Sequence, residues 1–392
     1  MRIVIGSESY APNISGVAIA AERLARNLAG ADHDVHVFAP GRNGRTAFDP
    51  DSGDFSVLRL RSMPNPFRKG FRIAFMPQAE VDKAVQGLRP DIVHLQDPAS
   101  ICTALRKAAR RRGIPVVVTN HFSLEYALSY IRYLSPVHPQ MRAMLTRYLV
   151  RFYNRCQYVL CPTETVKREL ESWGVCTPIE SISNGVDLER FYSYSSPTAI
   201  RLKYHLPANP IILYVGRIDK DKSLEVLVRA IPLVTGSADA HFVLVGDGDE
   251  LPRLKALAGN LGVSEAVSFL GWVNHESPDL PQLYQVASVF AIPSAVETQS
   301  IVTLEALAAG LPIVAADGGA LPELVKHGDN GFLFPPGDPK VLGNTILRLL
   351  SDDQLRERMR RRSFEVVSEH RIGGTFERVQ GVYERVRRDS AQ

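Results

Sequence analysis

Glu297 and Glu305 stand eight residues apart in SAVETQSIVTLEALAAGLP, residues 294–312, where an apolar run ending at Ser294 gives way to a loop and then a helical pattern over residues 301–309. Ligands of open parallel sheets bind at the carboxyl ends of strands, where helix N-termini aim unpaired N–H groups at them. Ser300 and Ile301 open such a helix. A carboxylate pair first suggests a hydrolase acid and base. On one continuous helix, however, axial rise alone would separate the two by about 12 Å, beyond the roughly 5–9.5 Å of hydrolase pairs. With Glu297 in the loop that separation is not fixed, and the preferred reading has both carboxylates accepting hydrogen bonds from hydroxyls of one bound sugar nucleotide. The plainer alternative makes Glu305 a solvated helix residue.

A second anion-binding candidate is VGRIDKDKS, residues 215–223, where Gly216 ends a strand and Arg217 and Lys222 precede a helix. A guanidinium holds a diphosphate bidentately and an ammonium adds a point charge, which makes Mg²⁺ dispensable. Lys220 reads as the solvated lysine of the segment, and a charged surface loop is the plainer alternative for the whole of it. Nearer the start, Gly16 follows the first strand and opens a helix with Val17, Ala21, Leu24 and Leu28 on one face, so backbone N–H groups there can approach a phosphate. This is not a GxGxxG fingerprint, and the second strand ends Phe38-Ala39-Pro40 without the acidic residue a dinucleotide ribose needs, which argues against a dehydrogenase. His121 ends the PVVVTNH strand on the same carboxyl edge, either as a cleft residue or as a structural histidine.

Positioning these groups requires alternating strands and helices. Short apolar runs at residues 2–7, 34–40, 56–62, 91–96, 115–121, 158–163 and 178–184, then at 210–217, 241–248, 266–273, 289–294, 312–317 and 331–336, are separated by stretches with three-to-four-residue apolar spacing. That alternation predicts two Rossmann-like, doubly wound parallel sheets facing a cleft. The expected domains are residues 1–190 and 200–371, with a seam in residues 188–209 and a basic helix at about 372–392 returning to the first domain.

The 392 residues suit two or three domains, and 45% hydrophobic with 22% charged residues is ordinary globular composition. The opening MRIVIGSESYAP is too short for a secretory apolar region, and no run of about 18 apolar residues follows, so a cytoplasmic location is expected. Cys102, Cys156, Cys161 and Cys176 form no CxxC, so reduced, mostly packed thiols are expected and zinc is not. The net charge of +4 is uneven: residues 1–200 carry 25 Lys and Arg against 18 Asp and Glu, the remainder 21 against 24. Between Ile101 and Arg155 ten basic residues, among them Arg110, Arg111 and Arg112, face only Glu125. Residues 64–75 interleave Phe67, Phe71, Ile73 and Phe75 with Arg68, Lys69 and Arg72, and residues 133–155 set Met141, Met144, Leu145, Tyr148, Leu149 and Phe152 among arginines. Either stripe fits an anionic bilayer, or a core-facing helix with solvated arginines. No nucleic-acid module accompanies the basic residues.

Taken together, Gly16, VVVTNH (116–121), SNGVD (183–187), VGRIDKDKS, VGDGDE (245–250), FLGWV (269–273) and ETQSIVTLEALAAGLPIVAADGGALPELV (297–325) resemble the retaining GT-B glycosyltransferases of family 4, from Met1 to about Tyr383. The E-x7-E pattern of Glu297 and Glu305 is the most specific element. The resemblance implies transfer of a hexose from a UDP- or GDP-sugar, with no cofactor or metal, the acceptor bound by the first domain and the donor by the second. Carried over by position, Arg217 and Lys222 neutralise the diphosphate, Glu305 holds the ribose, Glu297 holds hydroxyls of the donor sugar, His121 lies beside the reacting sugar and Gly16 near the phosphates. Gly216, Val273, Ser300 and Ile301 complete the donor set. Where the family commonly reads E-G-F-G-L, this chain has Glu297-Thr298-Gln299-Ser300-Ile301. That variant, with HFSLEYALSYI (residues 121–131, Tyr126 among them), is similar to bacterial diacylglycerol glucosyltransferases. The implied acceptor is therefore a lipid hydroxyl at an anionic membrane surface, contacted by Phe67, Arg68, Lys69, Phe71, Arg110, Arg111, Arg112 and Tyr126 from a peripheral position on the inner face of the plasma membrane. A soluble acceptor such as an inositol phosphate, and a non-catalytic nucleotide-sugar or membrane-binding protein, are the alternatives.

Overall fold

Strands that are apolar on both faces must be covered by helices on both sides, and this chain builds two such layered units. The computed structural model describes residues 1–12, 15–41, 45–49, 53–65, 71–124, 138–192 and 197–390. Unit 1 is Met1–Ser183 with Gly373–Gln392, and unit 2 is Asn184–Ile372.

The strands of unit 1 are β1 (Arg2–Gly6), β2 (Asp34–Pro40), β3 (Ala47–Phe48), β4 (Ser56–Leu60), β5 (Ser62–Pro64), β6 (Arg72–Ala74), β7 (Ile92–Leu95), β8 (Val116–Thr119), β9 (Tyr158–Cys161) and β10 (Ile179–Ser181). Eight of them form one sheet in the order β10-β9-β8-β7-β1-β2-β4-β3, parallel except for the short edge strand β3. Alternation along β1 decides which layer each side chain joins. Val4 packs with Val93, Val118, Leu105, Leu149 and Phe152. Ile3 and Ile5 pack on the other face with Leu24, Leu28, Val382 and Tyr383. The helix Gly16–Gly30 is started by the Ser15 side chain, which accepts from Ala18 N. The final helix, Ile372–Ser390, contributes Val379, Val382, Tyr383 and Val386 to unit 1. There the Tyr383 hydroxyl lies 2.5 Å from Nδ1 of buried His94, whose Nε2 meets Thr119 Oγ1 at 2.7 Å.

Unit 2 contains β11 (Ile211–Val215), β12 (His241–Val245), β13 (Val267–Gly271), β14 (Val289–Ile292), β15 (Ile313–Ala316) and β16 (Gly331–Phe334). They form one parallel sheet ordered β13-β12-β11-β14-β15-β16. Ile211, Leu213 and Val215 face a layer that includes Leu304, Leu307, Tyr284 and Val367. Ile212 and Tyr214 face Leu227, Ile231, Leu342 and Ile346.

Each of the thirteen anticipated apolar runs contains a strand, and β3, β5 and β6, of two or three residues, are additions. The unit boundary falls between Ser183 and Asn184 rather than within residues 188–209. The reason is hydrophobic: Leu188, Phe191 and Ile200 belong to the core of unit 2, and the segment forms helices Leu188–Tyr192 and Pro197–Lys203.

Tyr383 is expected to be a keystone of unit 1. Tyr383→Phe should cost about 1–3 kcal/mol by removing the polar partner of buried His94, and Tyr383→Ala about 3–5 kcal/mol. Urea unfolding of the unit 1 transition checks this, and a change below about 1 kcal/mol for Tyr383→Ala contradicts it.

Candidate active site

Strand order in unit 2 reverses between β11 and β14, with β12 and β13 on one side and β15 and β16 on the other. Crossovers leave such a point in opposite directions, so the carboxyl ends of the two strands open a crevice. Lys222 follows β11 and Glu297 follows β14, and the reversal brings Lys222 Nζ within 2.7 Å of Glu297 Oε1 across 75 residues. Gly216, with φ +148°, turns the chain out of β11, and a Cβ there would lie 2.7 Å from the Tyr214 hydroxyl oxygen. A 3-10 turn over Lys220–Lys222 then carries the lysine back towards the strand ends. The Glu297 loop is fixed from the other side. Ala320 N donates to Glu297 O at 2.8 Å, and Gly319, at φ +56°, leaves no room for a Cβ, which would approach that carbonyl to 2.6 Å.

The cations are embedded among acids. Arg217 pairs with Asp219 and, at 3.1 Å, with Asp221; Lys222 also lies 3.3 Å from Asp221. These five side chains carry a net charge of −1. Burial works against the Lys222 charge, but Glu297 and Asp221 outweigh it and hold the ammonium above its ordinary pKa. Burial likewise opposes the Glu297 charge, yet Lys222, with help from Ser294 and Arg217, holds that carboxyl below its ordinary value. Both groups are therefore charged at neutral pH. Lys220 is exposed, as expected of the solvated lysine.

Helix Ile301–Ala308 begins at the same edge, capped by Ser300, whose hydroxyl accepts from Thr303 N at 3.2 Å. Gln299 Oε1 accepts from Asn184 N at 2.7 Å, so the polar residues at this turn tie backbone in place. Ile301 is half-buried at the helix start. Glu305 is not a solvated helix residue: its side chain is 0% exposed, with Oε1 2.7 Å from His275 Nε2 and Oε2 accepting from the Tyr284 hydroxyl at 3.1 Å. Burial and the adjacent Glu305 carboxylate push the Tyr284 phenol well up, so it remains a donor. The Val273 side chain belongs to the core, beside Leu280 and Leu283, which leaves its main chain for any donor contact.

In unit 1 the order reverses between β1 and β7. Glu8 and Asp97 follow those strands, with Glu8 N donating to Asp97 Oδ2 at 2.6 Å. Glu8 accepts from Ala74 N at 2.5 Å, Ile101 N at 2.9 Å and Ser100 Oγ at 3.0 Å, which ties the β5–β6 hairpin to a helix start. Burial, then Asp97, pushes the Glu8 carboxyl up to about 7. His121 Nε2 lies 3.0 Å from Gln96 Oε1, and burial lowers the imidazole to about 4, leaving it neutral at pH 7. Gly16 is the exposed first residue of its helix.

The basic face expected to meet the acceptor is reduced by a partner from another helix. Arg111 and Arg112 both pair with Asp82 of helix Gln78–Leu88, and Arg112 also caps Ala108 O at 3.1 Å. Arg110 is exposed and Phe71 half-buried. Phe67, Arg68, Lys69 and Tyr126 lie outside the described residues. In helix His138–Tyr153, Leu149 and Phe152 face the core, whereas Met144 and Tyr148 are 62% and 46% exposed. Asp82, Asp219 and Asp221 were in plain view in the sequence, but nothing there paired them with arginines. His275, Tyr284 and Arg190 gave no chemical signal apart from lying near conspicuous motifs.

The two reversal points carrying this chemistry are those of a GT-B glycosyltransferase. Anabaena Alr3699/HepE in complex with UDP-glucose superposes with a TM-score of 0.78 at 22% identity, over 98% of this chain and 99% of that one. Residues 14–190 match Glycosyltransferase Family 4 and residues 199–366 match Glycosyl transferases group 1, and the chain belongs to this family. It is 30% identical over 351 residues to alpha-monoglucosyldiacylglycerol synthase of Acholeplasma laidlawii, covering 87% of this chain and 86% of that protein. It is 25% identical to N-acetyl-alpha-D-glucosaminyl L-malate synthase of Bacillus anthracis, covering 94% and 93%. Among the described residues no helix is long and apolar enough to cross a membrane.

Removing one partner of the Lys222–Glu297 pair leaves a buried charge, so Lys222→Met or Glu297→Leu should each cost about 3–5 kcal/mol, and the double variant less than their sum. The Glu297 contribution is fully present above the unfolded carboxyl pKa and lost as pH falls through its lowered folded value. The Lys222 contribution is fully present below the unfolded ammonium pKa and lost as pH rises through its raised folded value. The wild-type advantage over the double variant should therefore be flat between about pH 5 and pH 10. Urea titrations across that range check it, and additive single costs contradict the pair.

Proposed function

We propose that this glycosyltransferase is a metal-independent, retaining hexosyltransferase that moves a sugar from a UDP- or GDP-hexose to a hydroxyl of a membrane lipid. The observation that carries the reading is the Lys222–Glu297 pair at the strand-order reversal of unit 2, with Arg217 beside it. Breaking the anomeric bond puts negative charge on the departing diphosphate, and Arg217, Lys222 and the amides opening helix Ile301–Ala308 are preorganised donors for that charge. On this reading the diphosphate shares the two cations with Asp219 and Asp221. Glu297 accepts hydrogen bonds from the sugar and Glu305 from the ribose. The family resemblance assigns His121, neutral at pH 7, to the reacting sugar. The acceptor oxygen attacks on the face the diphosphate leaves, forming the new glycosidic bond as the old one breaks, and its proton passes to the departing phosphate oxygen. Configuration at the anomeric carbon is thereby kept.

Support for a lipid acceptor comes from the diacylglycerol-linked product of the Acholeplasma relative and from the β5–β6 hairpin, where Met63, Phe75 and Met76 are 47%, 43% and 79% exposed. Such side chains suit the boundary between headgroups and acyl chains, with the protein peripheral on the cytoplasmic leaflet. A small soluble acceptor is the second reading, favoured by the malate-linked relative that spans nearly the whole chain.

Radiolabelled UDP-glucose and GDP-mannose, incubated with vesicles of diacylglycerol and phosphatidylglycerol or with L-malate and inositol phosphate, separate the readings. Lipid-linked label with the donor's anomeric configuration is expected. Label only in soluble product replaces the lipid acceptor, and no transfer from either donor contradicts the assignment. Lys222→Ala and Arg217→Ala should each lower kcat by about a hundredfold or more, and an unchanged rate in both overturns their role.

A further inference from the structure

Glu305 is a carboxylate with no exposed surface, set in a helix whose neighbours Leu304, Ala306 and Leu307 are core residues. An ionised carboxylate survives such a place only when strong donors meet it. The Tyr284 hydroxyl is one donor, but its single proton also faces Val302 O at 3.3 Å. The shorter contact, 2.7 Å, comes from His275 Nε2. Imidazole donates from Nε2 and accepts at Nδ1 in one neutral tautomer and does the reverse in the other, so the neighbour of Nδ1 decides what Glu305 receives. That neighbour is Arg190, whose Nη1 lies 3.3 Å from His275 Nδ1. A guanidinium can only donate, which leaves the Nδ1 lone pair as acceptor and the proton on Nε2, aimed at Glu305. The other terminal nitrogen of Arg190 donates to the carbonyls of His275 and, at 3.3 Å, Ser277. One arginine thus fixes both the imidazole tautomer and the main chain of the loop following Val273. Glu276 Oε1, on an exposed side chain, lies 3.5 Å from His275 Nδ1.

We propose that Arg190 and His275 are positioning residues that hold Glu305 as an oriented, deprotonated acceptor for the hydroxyls of a nucleoside-diphosphate ribose, and that they align it with the loop after Val273. The proposal rests on the reading of Glu305 as the ribose-binding carboxylate and goes beyond it by assigning the two residues that set its charge and orientation. Without His275 the buried carboxylate loses the group 2.7 Å from Oε1 and the orientation that this contact sets. The loss falls on recognition of the ribose hydroxyls and spares the chemical step.

The test is a coupling measurement on the full chain. Binding of UDP and GDP and of their 2′-deoxy counterparts is measured by calorimetry for wild type, Arg190→Met, His275→Ala and His275→Gln, and read with whichever base the wild type takes. Wild type should prefer the ribose form by about tenfold. His275→Ala and Arg190→Met should lose about tenfold in affinity for the ribose form and bring the preference close to one. His275→Gln, whose amide N–H can reach Glu305, should keep most of both, which covers the case in which His275→Ala does not fold. In turnover assays the donor KM should rise by about the same factor while kcat stays within about twofold. A wild type that binds neither nucleotide overturns the site itself, and one indifferent to the 2′-hydroxyl removes Glu305 from the ribose and this proposal with it. Variants that bind less tightly yet keep the full ribose preference leave the functional reading standing and overturn the positioning role.

Discussion

The ion pair between Lys222 and Glu297 is the constraint on which the arrangement of unit 2 depends. It joins the loop after β11 to the loop after β14 beyond the strand ends, where Ser294 Oγ also donates to Asp221 O at 3.4 Å. Held at 2.7 Å, each charge makes the other tolerable in a partly buried place. The glycines at the edge serve the same end. Gly216 releases the chain from β11 without obstructing Tyr214, and Gly319 lets the loop after β15 press against the Glu297 carbonyl. The site therefore has its charges in position before a ligand arrives, so little reorganisation is left for the moment of reaction.

The presence of Asp219 and Asp221 changes what the cations can do. A bare Arg217 and Lys222 would attract any anion. With three carboxylates close by, the net charge is slightly negative, and an anion gains only if its oxygens fit the directions in which the guanidinium and ammonium point. On the proposed reading, discrimination for a diphosphate over a simple anion rests on geometry rather than on bulk attraction. A related economy holds in unit 1, where Glu8 collects N–H and O–H donors from the β5–β6 hairpin and a helix start, so a carboxyl at the strand-order reversal also anchors the segment carrying Met63 and Phe75.

Much of this was legible in the chain. Fully buried parallel strands such as IILYV and VFAI read as unbroken apolar runs, and Gly216, Arg217, Lys222, Glu297 and Glu305 sit in motifs with recognisable spacing. The short β5 and β6 escaped because three residues give no periodicity. The domain seam was placed too late because Ser, Pro and Tyr between residues 192 and 197 look like a linker, whereas Leu188, Phe191 and Ile200 on either side pack into unit 2. Counter-ions escaped for a different reason. Asp82 meets Arg111 from another helix, and His275 meets Glu305 across 30 residues, and only the packed structure supplies those partners. Local sequence likewise offered no means of telling the buried Glu305 from a solvated one.

The most direct measurement of the central claim is a crystal structure of the protein soaked with UDP or GDP. The account requires the diphosphate oxygens within about 3 Å of Lys222 Nζ and the Arg217 guanidinium, with the ribose against Glu305. A nucleotide seated away from the carboxyl ends of β11 and β14, touching none of these groups, would contradict it.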